Sequence, residues 1–303
     1  MASSCWGLPE FLCAAPELSS STLRQVRRSI DGGFRDLVRE LSPVIDAATA
    51  PLQVALNGLE ALFVNTPWII TLALLVAAAG AASRSWRITI GTLIALLAIG
   101  WVGLWTDTMI TLSMVTVCTL AAVIIGLPIG IWMARSDRAQ RIISPVLDVM
   151  QTLPSFVYLI PVVVIFGIGK VPGMIAVVIY ATPPMVRLTS LGIRQVDREA
   201  IEAADAFGSS PRQKLFNVQL PLALPTLMTG INQTIMMSLS MVVVASMVGV
   251  GGLGKNVLQA INNQFFTVGF MNGFALVAIA IAFDRASQAY GNRLQRHKEN
   301  VDE

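Results

Sequence analysis

The chain has 303 residues, 54% hydrophobic and only 13% charged, with a mean hydropathy of +0.68 and a net charge of +3. Soluble domains carry about 25% charged residues, and here the deficit is concentrated: residues 108–134, 215–254 and 256–283 hold no charged side chain at all. About 20 apolar residues cross a bilayer, so the composition excludes an ordinary soluble enzyme and specifies an all-α polytopic membrane protein.

Residues 1–51 are mixed and polar, with Arg24, Arg27, Arg28, Arg35 and Arg39 set among acids. No basic n-region precedes an apolar run there, so no cleaved signal peptide is predicted. Cys5 and Cys13 leave two readings open, a disulfide outside an oxidising membrane or two free thiols. Residues 51–64 are moderately apolar and contain Asn57 and Glu60. They are short for a span and predict a helix lying on the membrane surface or packed on the bundle. Seven spans are then predicted, at 66–83, 88–105, 108–134, 144–168, 172–187, 221–248 and 268–288. Pro128, Pro154 and Pro161 fall inside spans, and Pro183 and Pro184 near the end of the short fifth one. Prolines free backbone carbonyls that must be satisfied by neighbours or by a wet path, which suits a transporter.

Lysine and arginine in short loops mark the cytoplasmic side. Fourteen of the 21 basic residues fall on one side, in the loops after spans one, three and five and in the C-terminal tail. Opposite them stand only Lys170 and Lys255, with five arginines in the N-terminal tail. The count predicts a cytoplasmic C-terminus and an N-terminus outside. The side chains also limit the chemistry. His297 is the only histidine and lies in a polar tail, and Cys5, Cys13 and Cys118 form no metal pattern. A serine–histidine protease is therefore excluded within the membrane. No enzyme, no metal site and no bound cofactor is expected.

The most informative stretch is 197–225, DREAIEAADAFGSSPRQKLFNVQLPLALP. Glu199–Phe207 is alanine-rich with acids in its first turns, which suits a helix start. Gly208 can supply the left-handed residue that ends a helix. Ser210 followed by Pro211 reads as the cap and first residue of a second helix, predicted to end at Pro221. Ala203, Ala204 and Ala206 offer a small docking surface; Glu202 and Asp205 offer charge.

Glu202-Ala203-Ala204, then Gly208, then Leu220-Pro221 resembles the EAA loop of permease subunits of ATP-binding-cassette importers. Wider stretches, DVMQTLPSFVYLIPVVVIFGIGKVPG (148–173), FGSSPRQ (207–213), QLPLALPT (219–226) and NQTIMMSLSMVVVASMVGVGGLG (232–254), resemble the quaternary-amine branch, which takes up glycine betaine, proline betaine or choline. Asp107-Thr108-Met109 and SQAYGNRLQ (287–295) are similar to choline permeases above all. The resemblance implies a type I importer permease fold (MetI-like) with about seven transmembrane helices. It implies a second permease copy as homodimer partner, two ATPase subunits that bind ATP and magnesium, and an extracytoplasmic substrate-binding protein, in a bacterial inner membrane. It implies no nucleic-acid partner. Residues 1–65 would form an extracytoplasmic tail with an amphipathic helix, 66–105 two accessory spans, 106–290 the transport domain with its coupling loop at 188–220, and 291–303 a cytoplasmic tail. Glu202, Ala203, Ala204, Asp205, Gly208 and Pro211 would couple the ATPase to the spans. Choline is the solute the resemblance favours.

Other motifs are weaker. Gly249-x4-Gly254-Lys255 mimics a phosphate loop, but Asn256 stands where a serine or threonine must follow, and a membrane helix precedes it instead of a strand. Its glycines predict a flexible turn at the external mouth. Gly126-x3-Gly130 and Gly269-x3-Gly273 fit close helix contacts. Asp148 and Arg187 predict an ion pair near an interface. Gln233, Met237, Ser240, Met241 and Val244 recur at helical spacing and suit either a pathway or a helix–helix core; methionine adapts to changing packing. Phe156 and Tyr158 are candidate contacts for a methylammonium cation. A gradient-driven carrier would bury ionisable groups at mid-membrane, and the middles of these spans hold none. Transport of another small solute by the same architecture stays open.

Overall fold

The computed structural model describes residues 19–299, and all the regular structure among them is helical. Cys5 and Cys13 lie outside the described residues. Helix α1 runs from Ser20 to Asn65. Residues up to Ala48 form one compact unit, and those from Thr49 onward form a second, which is the bundle. Within the second unit, the stretch 49–65 of α1 packs on its neighbours. Leu56 and Phe63 are buried in the main hydrophobic cluster, and Lys170 Nζ donates to Glu60 at 2.8 Å. Of the two readings of 51–64, packing on the bundle is the one observed.

The chain then turns by 115° into α2, Trp68–Ser83. Helix α3 spans Trp86–Trp101. At 16 residues each, these two reach only about 24 Å, short of a hydrocarbon core of about 30 Å. Helix α4, Trp105–Arg135, passes through Pro128 without a break. Helix α5 is Asp137–Thr152 and α6 is Leu159–Phe166, joined by a 3-10 turn at Ser155–Tyr158. Helix α7 covers Lys170–Arg194 and α8 Arg198–Ala206. The helical run α9, Pro211–Val248, contains a π-helical stretch at Lys214–Gln219 and a long α-helix at Leu220–Ala245. Helices α10, Leu253–Asn263, and α11, Phe266–Glu299, complete the chain.

The predicted spans fall largely on helices, but not all are single straight crossings. Helices α4, α7 and α9 and residues 266–291 of α11 are long and apolar enough to cross a membrane. Two bent pairs, 49–65 with α2 and α5 with 155–166, are long and apolar enough only when each pair is taken together, and α3 is a shorter apolar helix. The expected span 144–168 is therefore broken, with a bend of 112°. Pro154 causes it: the residue before a proline is pushed out of the helical region, and Leu153 is extended.

The fifth span was predicted to end at 187 and instead continues to Arg194 with Pro183 and Pro184 inside it. Helix α7 is the centre of the bundle, clasped by α4 and α9, and packing on both sides carries a proline-bearing helix onward. The helix expected to end at Pro221 also continues. A proline ring meets the carbonyl four residues back, here that of Asn217, and the wider π turn spans that position.

Close approach of α4 to α7 needs glycine. A β-carbon on Gly130 would lie 2.5 Å from Thr189 Cβ and 2.7 Å from the Val186 carbonyl oxygen. Gly126 lies against Met185 in the same way. The second pair is half a contact: Gly269 abuts Ala260, whereas Gly273 meets nothing. The glycine-rich stretch 249–252 is a turn packed against its neighbours, leading into α10 at Leu253. Val250 and Leu253 are buried, and Leu253 N donates to Thr111 Oγ1 at 2.9 Å. The amphipathic α10 escaped the sequence reading because, at eleven residues, it is too short to be taken as a span.

Candidate functional site

The candidate coupling site is built on α8. Asp197 caps its start, accepting from Glu199 N at 2.9 Å. Glu199 adds negative charge to the first turn, where the helix dipole favours it. Arg198 reaches Glu202 one turn on, at 3.2 Å. The helix stops at Gly208, whose φ of +74° lies in the left-handed region. Gly208 N donates to the Asp205 carbonyl at 2.9 Å and Ser209 N to that of Ala204 at 3.0 Å, which satisfies carbonyls the helix end leaves open.

The next helix begins at once. Ser210 Oγ accepts from Gln213 N, and Gln213 Oε1 accepts from Ser210 N at 2.8 Å. This is a reciprocal capping box with Pro211 in the first helical position. Lys214 ties the start of α9 back to Asp205 at 2.5 Å, and α8 packs on the π stretch. Ala204 is the buried contact, while Glu202, Ala203 and Asp205 face outward. Phe207 is 92% exposed at the tip. Sequence reasoning placed Phe207 in the helix but did not single it out; a large apolar residue directly before the turn glycine Gly208, in a polar loop, was the signal.

Ion pairs stiffen the spans beside this helix. Arg194 of α7 donates to Asp137 of α5 at 2.9 Å and to the Met133 carbonyl of α4 at 3.0 Å. Arg187 pairs with Asp148, joining α7 to α5. A surface pair alone contributes little, but these two clamp α7 to α5 and α4 at the end from which α8 hangs.

The expected pathway residues do not share one surface. Gln233 and Ser240 are exposed on α9, Met237 is half-buried, and Met241 is fully buried in the core. Met236 and Met247 are exposed instead. Leu222, Thr229, Gln233, Met236, Ser240 and Met247 thus form one stripe at spacings of seven, four, three, four and seven. The exposed face of α4 carries Thr116, Leu120, Ile124, Ile125 and Trp132 and is more apolar. Phe156 is exposed, whereas Tyr158 is buried edge-on against Tyr180, its hydroxyl donating to the Met150 carbonyl across the break. Two polar clusters were not foreseen. Asn256 Nδ2 donates to Asp107 Oδ2 at 2.7 Å and to Asn272 Oδ1 at 3.1 Å. Asn232 Nδ2 donates to Asp284 Oδ1 at 2.9 Å, and Ser287 Oγ to Asn232 Oδ1 at 2.6 Å.

Residues 126–296, from mid-α4 through α11, match the family model described as binding-protein-dependent transport system inner membrane component. The chain belongs to this family. It is the permease component of an ATP-binding-cassette importer, and not itself an enzyme; such components work with ATPase and substrate-binding partners. The glycine betaine/proline betaine transport system permease protein ProW of Escherichia coli (strain K12) is 48% identical over 267 residues, which cover 86% of this permease and 73% of that one. The glycine betaine/carnitine transport permease protein GbuB of Listeria monocytogenes is 52% identical over 210 residues, covering 69% and 74%. Inward-facing MetNI methionine ABC transporter structures share the fold. One has a TM-score of 0.57 at 24% identity and covers 61% of this permease and 93% of that chain.

Proposed function

We propose that this permease carries a quaternary amine of the glycine betaine class into the cytoplasm, with α8 as the helix through which a separate ATPase drives it. The observation that carries the reading is α8 itself, capped at both ends, braced to α9, yet presenting Glu202, Ala203 and Phe207 outward. A mere connector between α7 and α9 has no need of such stiffness. The substrate class rests on the likeness to permeases named for glycine betaine. Relatives named for glycine betaine are 48–56% identical and one named for choline is 32% identical, which supports glycine betaine and proline betaine ahead of the choline expected from the sequence.

In this reading the basic loops lie in the cytoplasm and the N-terminus outside. ATP and magnesium are bound by two ATPase subunits and not by the permease. A second permease copy faces the stripe of α9. Gln233 supports this last point: it lies midway along an apolar helix, its side chain exposed and without a hydrogen-bond partner among the described residues. An amide in contact with lipid is costly, so a wet path or a second copy covers it.

The test is Glu202→Lys. Reversing a charge at a docking surface can cost several kcal/mol, and no span is altered. Glycine betaine uptake should fall at least tenfold at normal membrane abundance. Uptake at the wild-type rate would reduce α8 to a connector.

A further inference from the structure

An apolar groove of about 680 Å³ runs between α3 and α11, away from both α8 and the stripe of α9. It exists because both helices present small residues to it, among them Gly91, Ala95 and Ala98 on α3 and Ala275, Ala278 and Ala282 on α11. The walls are apolar throughout, with Ile94, Phe270, Phe274 and Ile281 exposed. From Arg87 to Val102 it follows about 22 Å of helix, more than one leaflet of a hydrocarbon core about 30 Å thick.

One end is different. Arg87 and Arg285 both line it, one from each helix. Both are exposed, and neither has an ion-pair partner among the described residues. No acid lines the groove. Asp284, the neighbour of Arg285, is turned to Asn232 and Gln288. The Arg87 guanidinium sits 5.9 Å from the Trp86 ring centroid. Trp86, beside Arg87 at the start of α3, is strongly exposed, as an indole is at a membrane–water boundary. The arginines therefore stand at headgroup level, with the groove descending into the hydrocarbon.

We propose that this groove is a binding site for an anionic phospholipid, its phosphate held by Arg87 and Arg285 and one acyl chain laid along α3 and α11. Charge complementarity selects this occupant. Basic groups at the mouth of a groove between membrane helices match an anionic headgroup, and the apolar walls match the chain. A second copy of the permease fits poorly: a two-fold interface would set this surface against itself and bring the arginines against one another with no acid between them.

Native mass spectrometry of the full-length permease, with dioleoyl phosphatidylglycerol or dioleoyl phosphatidylcholine added, tests the site. The wild type should retain phosphatidylglycerol preferentially. Each arginine near the surface should account for about fivefold, so Arg87→Gln with Arg285→Gln should lower that retention about 25-fold and leave phosphatidylcholine unchanged. Ala278→Phe, which fills the groove and keeps both arginines, should lower retention of both lipids. Equal retention of the two lipids by the wild type, or undiminished phosphatidylglycerol on either variant, overturns the proposal. So does efficient disulfide dimerisation of an Ile94→Cys variant in native membranes, which would put a second copy over the groove.

Discussion

Gly208 owes its identity to backbone conformation and to nothing around it. Its φ is +74°, and a β-carbon there meets no atom within 4 Å. Left-handed backbone costs an L-residue roughly 1–2 kcal/mol, and more for a β-branched one. Gly208→Val should therefore misplace the tip of α8 and cut uptake severely, while Gly208→Asn, which tolerates the left-handed region, should keep most of it. Equal uptake by the two at matched abundance would show that the turn is not what matters. Gly130 is the opposite case, helical but crowded. Gly130→Ala forces a methyl against Thr189 and the Val186 carbonyl, an overpacking cost of about 1–3 kcal/mol. Thermal unfolding in detergent should show the loss, with Gly273→Ala, open on its outer side, as the neutral control. The spacing Gly126-x3-Gly130 revealed a contact surface, but the identical spacing at 269 and 273 revealed only half of one. A glycine pair states that a close approach is possible, and only the neighbouring helix states that it occurs.

At the scale of elements, the α8–α9 corner was legible because its signals are local. A capping side chain reaches the backbone two or three residues on, so Ser210 and Pro211 declare a helix start from sequence alone, whereas the Asp197 cap was added by the structure. Removing the Ser210 hydroxyl should cost about 1 kcal/mol. Ser210→Ala should accelerate amide hydrogen exchange over 209–214 and leave the middle of α9 protected; unchanged exchange at the corner would mean the cap is dispensable. Helix ends in the membrane were less legible. Pro183 and Pro184 lie near the expected end of the fifth span at 187 and Pro221 at the expected end of a helix, yet only at Pro154 does a helix end. At 154 the preceding stretch is half polar and weakly packed, so the local restriction wins. At 183 and 184 the helix lies between α4 and α9, and tertiary packing wins.

For the whole molecule, the distribution of lysine and arginine predicts which loops share a side. Ser85 precedes α3 and Asn262 lies in α10. Cysteines placed at these positions should label from opposite sides of intact membrane vesicles, Ser85 from the cytoplasm. Labelling of both from one side would overturn the orientation and, with it, the placing of α8 against a cytoplasmic ATPase.

Length, apolar runs and charge placement sufficed to determine the class of molecule, the number of apolar segments and the position of α8. These depend on transfer of each segment out of water and on bonds between residues close in sequence. What only the tertiary structure decided was rotation and depth. The stripe on α9 was read as Gln233, Met237, Ser240 and Met241. The exposed face instead carries Met236 and Met247, and Met241 is core. Successive residues on a helix differ by about 100°. In an apolar helix either face can be buried, because lipid and protein core accept the same side chains. Only the neighbours α7, α4 and α11 choose which face turns inward.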